Sequence, residues 1–177
     1  MTKKLQGWEP KWLTKVSPAD LKRSRGENII DFSEALCKIT KDSVAGHAGE
    51  PLVFRGWQKQ LTNHLFAVGA NGKFKHKVGL IGLPRKNGKS AWLSAVALES
   101  LVLGAQGGEI YSCAAEKEQA RIVFNTAKEM IRLQPELSDF LQVYKDAIYN
   151  PKTGSVYRAL SAEAFTKEGL SPTLFVS

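Results

Sequence analysis

The chain has 177 residues, 43% of them hydrophobic and 24% charged, which is ordinary for one globular domain whose core needs neither disulfides nor a structural metal. Cys37 and Cys113 lack CxxC spacing and the three histidines are scattered, which argues against a zinc centre and for a reducing compartment. Lys plus Arg exceed Asp plus Glu by 25 to 17, a formal charge of +8 with a pI near 9.5 that favours polyanionic partners, and no stretch approaches the ~18 apolar residues of a membrane span.

Residues 1–30 mix Trp8, Pro10, Trp12 and Pro18 with the cluster Lys22-Arg23-Ser24-Arg25-Gly26 and show no sustained periodicity. An irregular basic arm is expected there, its cations either solvated or set against phosphate. Met1-Thr2-Lys3-Lys4 has no apolar core behind it, so it does not read as a secretion signal, and a soluble intracellular protein is expected. Asp31 and Glu34 form a capping-box-like pair ahead of Phe32, Ala35, Leu36 and Ile39, which predicts a helix over 32–44. Gly46, Gly49 and Pro51 break the chain; Trp57, Leu61, Leu65 and Val68 then predict a second helix over 56–69, ended by a turn at Asn71-Gly72.

Val78 to Gly82 is a short apolar run suited to a buried strand. Residues 88–103 carry Ala91, Trp92, Ala95, Val96, Leu98 and Leu101 without a breaker until Gly104, Gly107 and Gly108, the pattern of a helix followed by a turn. Ile110 to Ala114 reads as a strand, and Ala120, Val123, Phe124, Ala127 and Ile131 mark one face of a helix over 116–132 that Pro135 stops. Residues 143–149 and 155–161 flank the turn-rich Asn150-Pro151-Lys152-Thr153-Gly154 as a hairpin, and Thr173-Leu174-Phe175-Val176 is a last apolar run. This alternation predicts a right-handed, mainly parallel α/β core with an added antiparallel hairpin and N-terminal helices.

The chemistry concentrates between 82 and 91. A strand candidate, a polar basic loop and a helix candidate follow one another, the context in which main-chain N–H groups and the helix dipole receive a phosphate. Within Pro84-Arg85-Lys86-Asn87-Gly88-Lys89-Ser90, Gly88 allows close backbone approach, Lys89 reaches the β- and γ-phosphates, and the Ser90 hydroxyl is the expected Mg²⁺ ligand. The usual G-x-x-x-x-G-K-[ST] pattern asks for glycine where Leu83 stands, and Gly82 is one residue too early. Arg85 offers a permanently charged planar fork to charge developing on a γ-phosphate, which makes it the stronger candidate and Lys86 the weaker. A solvated basic turn opening a surface helix is the plainer alternative.

Arg85-Lys86-Asn87-Gly88-Lys89-Ser90 resembles the deviant Walker A loop of the large terminase subunit of tailed bacteriophages, of the HK97-like type, which keeps an early Arg and dispenses with the first glycine. Gly56-Trp57-Gln58 is similar to that family's adenine motif, Ala114 to Ala120 to its strand-to-helix motif, and Leu160-Ser161-Ala162-Glu163, Gly169-Leu170-Ser171-Pro172 and Leu174-Phe175-Val176 to the approach to, and body of, its Walker B strand. The resemblance covers about residues 52–177 and implies a P-loop NTPase core of the ASCE type over 31–177. It also implies ATP and Mg²⁺ as ligands. The nucleotide site would comprise Trp57, Gln58, Pro84, Arg85, Lys86, Asn87, Gly88, Lys89, Ser90 and Ala91, with Lys89 and Arg85 catalytic and Ser90 at the metal.

A packaging motor acting on double-stranded DNA is implied, with the portal protein, the small terminase subunit and a ring of like subunits as partners in the host cytoplasm. The family's Walker B Asp and Glu would follow Ser177, and Glu163 and Glu168 precede the strand. The expectation is therefore a truncated motor subunit with little hydrolysis of its own, its coupling motif and nuclease domain lying elsewhere in the parent protein. A helicase-like or other P-loop ATPase, and a non-enzymatic basic DNA-binding domain, are the alternatives.

Overall fold

The computed structural model describes residues 11–12, 14–43, 46–114, 117–161 and 171–176. The chain divides into two compact units, one formed by Met1–Asp31 with Val53–Gly82 and the other by Phe32–Leu52 with Leu83–Ser177.

In the first unit the helical turn α1 (Pro18–Leu21) starts at Ser17, whose hydroxyl accepts the Asp20 N–H at 3.1 Å. Part of the segment expected to be irregular is thus helical. The helix α2 (Gly26–Leu36) begins six residues before the expected start, because Ser24 rather than Asp31 opens it. The Ser24 hydroxyl accepts the Gly26 N–H at 3.0 Å and donates to the Asn63 carbonyl at 2.7 Å, and the Asn63 amide donates to Glu27 at 2.6 Å. These bonds seat α2 against α3 (Gly56–Leu65). Beyond α3 the chain reverses at Asn71-Gly72, with Val68 and Phe74 bridged antiparallel, so the second helix is shorter than its apolar spacing suggests.

α2 stops at Leu36, and Cys37 to Leu52 runs out and back instead of extending the helix to 44. Leu52 N–H donates to the Cys37 carbonyl and Ile39 N–H to the Glu50 carbonyl, each at 2.9 Å. The β-branched pair Ile39-Thr40 and the later glycines favour this narrow loop over another helical turn.

The second unit is a mixed α/β layer. Its sheet contains β1 (Glu109–Ala114), β2 (Gln142–Val143), β3 (Ala147–Asn150), β4 (Ser155–Ser161) and β5 (Leu174–Val176), in the order β2-β3-β4-β1-β5. β4, β1 and β5 are parallel, and β3 joins β4 as the expected antiparallel hairpin. The helices are α4 (Lys89–Leu103), α5 (Lys117–Leu133) and α6 (Pro135–Phe140). Pro135 both ends α5 and opens α6, a position where its missing N–H is harmless.

α5 lays Ala120, Phe124, Ala127 and Ile131 toward the sheet at helical spacing, and all four are buried. Phe124 meets Tyr157 of β4 edge-on at 5.2 Å, and the Ser112 hydroxyl of β1 donates to the Ala120 carbonyl at 3.0 Å. α4 buries Trp92, Ser94 to Glu99 and Leu101, which occupy every side of it. Its C-terminal Leu101 carbonyl accepts the Asn150 amide at 2.9 Å, and Asn150 is itself fully buried at the hairpin turn.

One expected element is absent. Val78 to Gly82 forms no strand, and Val78 and Leu80 are 86% and 101% exposed. An apolar run becomes a strand only where an edge takes up its N–H and C=O groups, and among the described residues no strand pairs with this one. No helix among the described residues is long and apolar enough to cross a membrane.

Two stability outcomes follow. Leu98→Ala, at a fully buried position, should cost about 2–5 kcal/mol in urea unfolding, whereas Leu80→Ala should stay within about 0.5 kcal/mol. Burial pushes the Cys37 thiol from 9.0 up to about 12, so the folded state favours the neutral thiol. That contribution is complete below about pH 9 and is lost as pH rises toward 12; Cys37→Ala should remove this part of the alkaline loss of stability.

Candidate functional site

The loop before α4 holds its shape through its own backbone and two side chains. Lys86 has φ 64° and Gly88 φ 73° with ψ 18°, and Lys86 is the one non-glycine with positive φ among the described residues. Left-handed residues alternating with others turn N–H groups toward a common side, the form of an anion-binding concavity. The Asn87 amide reaches the Pro84 and Arg85 carbonyls at 3.4 and 3.3 Å, bracing the turn from within.

Lys89, the first residue of α4, folds back so that its ammonium donates to the Leu83 carbonyl at 2.8 Å. The side chain is half-buried and lies across the loop rather than projecting into solvent. Gly88 caps α4 without any side-chain hydrogen bond, and the first turn holds no acidic residue. The positive end of the helix dipole therefore faces the loop without a side-chain acceptor from Gly88. Pro84, Arg85, Lys86 and Gly88 are exposed; Asn87, Ser90 and Ala91 are half-buried.

Behind the loop, Ser94 is fully buried, and its single hydroxyl proton is shared between the Ser90 carbonyl at 2.6 Å and the Val123 carbonyl of α5 at 2.8 Å. This fork ties the first turn of α4 to the neighbouring helix. Sequence reading missed it, although a serine four residues after Ser90 inside an otherwise apolar helix was the available signal. The fold of Lys89 onto Leu83 had no local signal at all.

The structure thus brings Pro84 to Ala91 together in one loop and helix start. Trp57 and Gln58 stand in the first turn of α3, in the other unit. Gln58 is buried, and its amide oxygen accepts the Arg55 N–H at 2.8 Å, closing the start of α3. That bond uses one of the two lone pairs of the amide oxygen, so the NH₂ group and a second acceptor position are not taken up by it. Trp57 is half-buried. Glu163 and Glu168 lie outside the described residues, as do Ala115 and Glu116 of the strand-to-helix motif.

A family profile described as terminase large subunit, ATPase domain, matches residues 56–177. The large terminase subunit of Enterobacteria phage HK97 is 32% identical over 157 residues, which make up 86% of this chain and 30% of that protein. The crystal structure of the HK97 bacteriophage large terminase resembles this fold with a TM-score of 0.70 at 29% identity, again over 86% of this chain and 30% of that one. The chain therefore spans about 30% of the length of this relative.

Because Gly88 occupies the left-handed region, Gly88→Ala should destabilise the protein by about 1–2 kcal/mol in urea unfolding. The same substitution at Gly56, where a β-carbon meets nothing within 4 Å and φ is not left-handed, should leave no such strain.

Proposed function

The chain belongs to the terminase large subunit ATPase-domain family, and from that premise we propose that it cradles ATP within a motor that drives double-stranded viral DNA into procapsids. The observation that carries this reading is the loop itself: left-handed Lys86 and Gly88, an N-terminus without a side-chain cap, and Lys89 held over the Leu83 carbonyl. These features support reading the loop as a phosphate-binding turn of a P-loop core of the ASCE type.

In this proposal the carbonyl of Leu83 keeps Lys89 parked until phosphate replaces it. The ammonium then exchanges a neutral acceptor for a charged one, a stronger bond. Main-chain N–H groups of Asn87 to Ala91 take the β-phosphate, and Pro84 sets the entry of the loop. Arg85 is exposed and swings onto the γ-phosphate, where its fork stabilises charge that grows during transfer; Lys86 adds a weaker share. Trp57 and the amide of Gln58 are assigned to the adenine.

A divalent ion fits this donor set. The Ser90 hydroxyl, in the first turn of α4, is the donor this chain would present to the ion. That suits Mg²⁺, which keeps most of its waters and arrives on the phosphates. The Ser90 hydroxyl would hold the ion, which would supply positive charge against the phosphates.

We extend the proposal to the parent protein: a ring of like subunits on the portal, guided to viral DNA by the small subunit in the host cytoplasm, with a nuclease domain that cuts the packaged DNA. Isothermal titration tests the nucleotide step. The chain should bind Mg-ATP, and Lys89→Ala should weaken it about 10- to 100-fold, as expected for a charge-assisted contact; unchanged affinity would overturn the assignment.

A further inference from the structure

The net positive charge of this protein is confined to one of its units. Met1–Asp31 with Val53–Gly82 carries 12 of the 25 basic and 4 of the 17 acidic side chains, a net of +8; the other unit carries 13 of each and is neutral. From Pro51 to Leu98 the chain contains no Asp or Glu.

Within the basic unit the cations gather where the α1–α2 turn meets the hairpin after α3. Arg23 donates to the Val68 carbonyl at 3.2 Å and to one Asp20 oxygen at 2.6 Å, and the Lys75 ammonium stands 3.6 Å from the other. Arg25 donates its N–H to the Phe66 carbonyl at 3.1 Å and sets its guanidinium 5.9 Å over the Phe74 ring. The hairpin ladder, Gly69 N–H to Lys73 carbonyl and Lys75 N–H to Ala67 carbonyl at 2.9 Å each, sends Lys73 and Lys75 to one side and Phe74 to the other.

Asp20 is the hub of this arrangement. Its side chain is only 14% exposed, while those of Arg23 and Lys75 are 42% and 45% exposed. One sunken carboxylate therefore fixes two turns whose outer surface is cationic. A merely solvated face intersperses both signs; a one-sign surface repels itself and gains when a polyanion covers it.

We infer that Lys22, Arg23, Lys73, Lys75 and Lys77 form a docking surface for the sugar-phosphate backbone of duplex DNA, an inference that rests on the packaging-motor reading. A duplex presents one negative charge per ~1.7 Å of axis, so fixed cations on braced turns displace its counterions without reading sequence. The phosphate loop, by contrast, belongs to the neutral unit and holds a small anion through amides and a few cations. The two kinds of phosphate are thus assigned to different units.

The test is fluorescence anisotropy of a short labelled DNA duplex with the full 177-residue chain, between about 50 and 200 mM salt. The triple variant Lys73→Gln, Lys75→Gln, Lys77→Gln should bind about 10-fold or more weakly and should lower the slope of log affinity against log salt by roughly 2–3. The charge-matched control Lys145→Gln, Lys152→Gln, Arg158→Gln, drawn from exposed positions of the neutral unit, should remain near wild type, and replacing the three hairpin lysines with arginine should restore binding. Equal losses in both glutamine variants, an unchanged slope in the hairpin variant, absence of duplex binding by the wild-type chain, or tighter binding of an RNA duplex would each overturn the surface. ATP titration of the hairpin variant should match wild type. Intact ATP binding with hairpin-indifferent DNA binding removes this surface alone, whereas failure of the wild-type chain to bind ATP removes the nucleotide reading.

Discussion

Burial of α4 on every side is the constraint from which the rest of the second unit follows. A helix packed on one face can roll or slide, but Trp92, Ser94 to Glu99 and Leu101 leave α4 no solvent side on which to do so. Each end is also tied by a buried polar group: Ser94 forks to Ser90 and Val123 near the start, and Asn150 donates to Leu101 near the finish. Unpaired, these groups would be costly in a dry interior, so they hold register as well as position. The direction of the first-turn amides is consequently set by the core rather than by the loop. For the proposed nucleotide site, a loop seated this way lowers the ordering cost of binding.

Charge is distributed on a different principle from packing. In the second unit acidic and basic side chains balance, and the net excess resides in the unit with the smaller and more irregular elements. Each unit can then meet its own requirement: a small multivalent anion needs convergent donors at short range, whereas a long polyanion responds to summed charge over a broad surface. Had the excess surrounded the phosphate loop, that loop would attract polyanions indiscriminately.

Much of this was legible in the sequence where local signals and tertiary partners agreed. β1, α4, α5 and the β3–β4 hairpin lie within a few residues of expectation, because 3.6-residue spacing, Gly104 and the Asn150 to Gly154 turn all point the same way. The misreadings share a cause: periodicity reports what a segment can bury, not what stands beside it. Val78 to Gly82 has the composition of a strand, but the described sheet gives it no edge. Asp31 and Glu34 mimic a helix start, but Ser24 caps the chain earlier by a bond that also requires Asn63. At the site, contiguous Pro84 to Ala91 could be read as a motif; the engagement of the Gln58 oxygen by Arg55 depends on side-chain choice and could not.

The missing first glycine of the loop has a physical account in the backbone. A glycine is favoured where φ is positive, and Leu83 is not such a position; the left-handed residues are Lys86 and Gly88. What position 83 supplies is its carbonyl, the acceptor on which Lys89 rests, and any residue provides that. An aliphatic side chain is therefore tolerated where the common pattern shows none. Lys86 is the exception that carries strain, since a β-carbon in the left-handed region costs about 1–2 kcal/mol. That strain is borne by a residue the proposed site uses for its charge, while the glycine stands at Gly88, the left-handed N-cap where α4 begins.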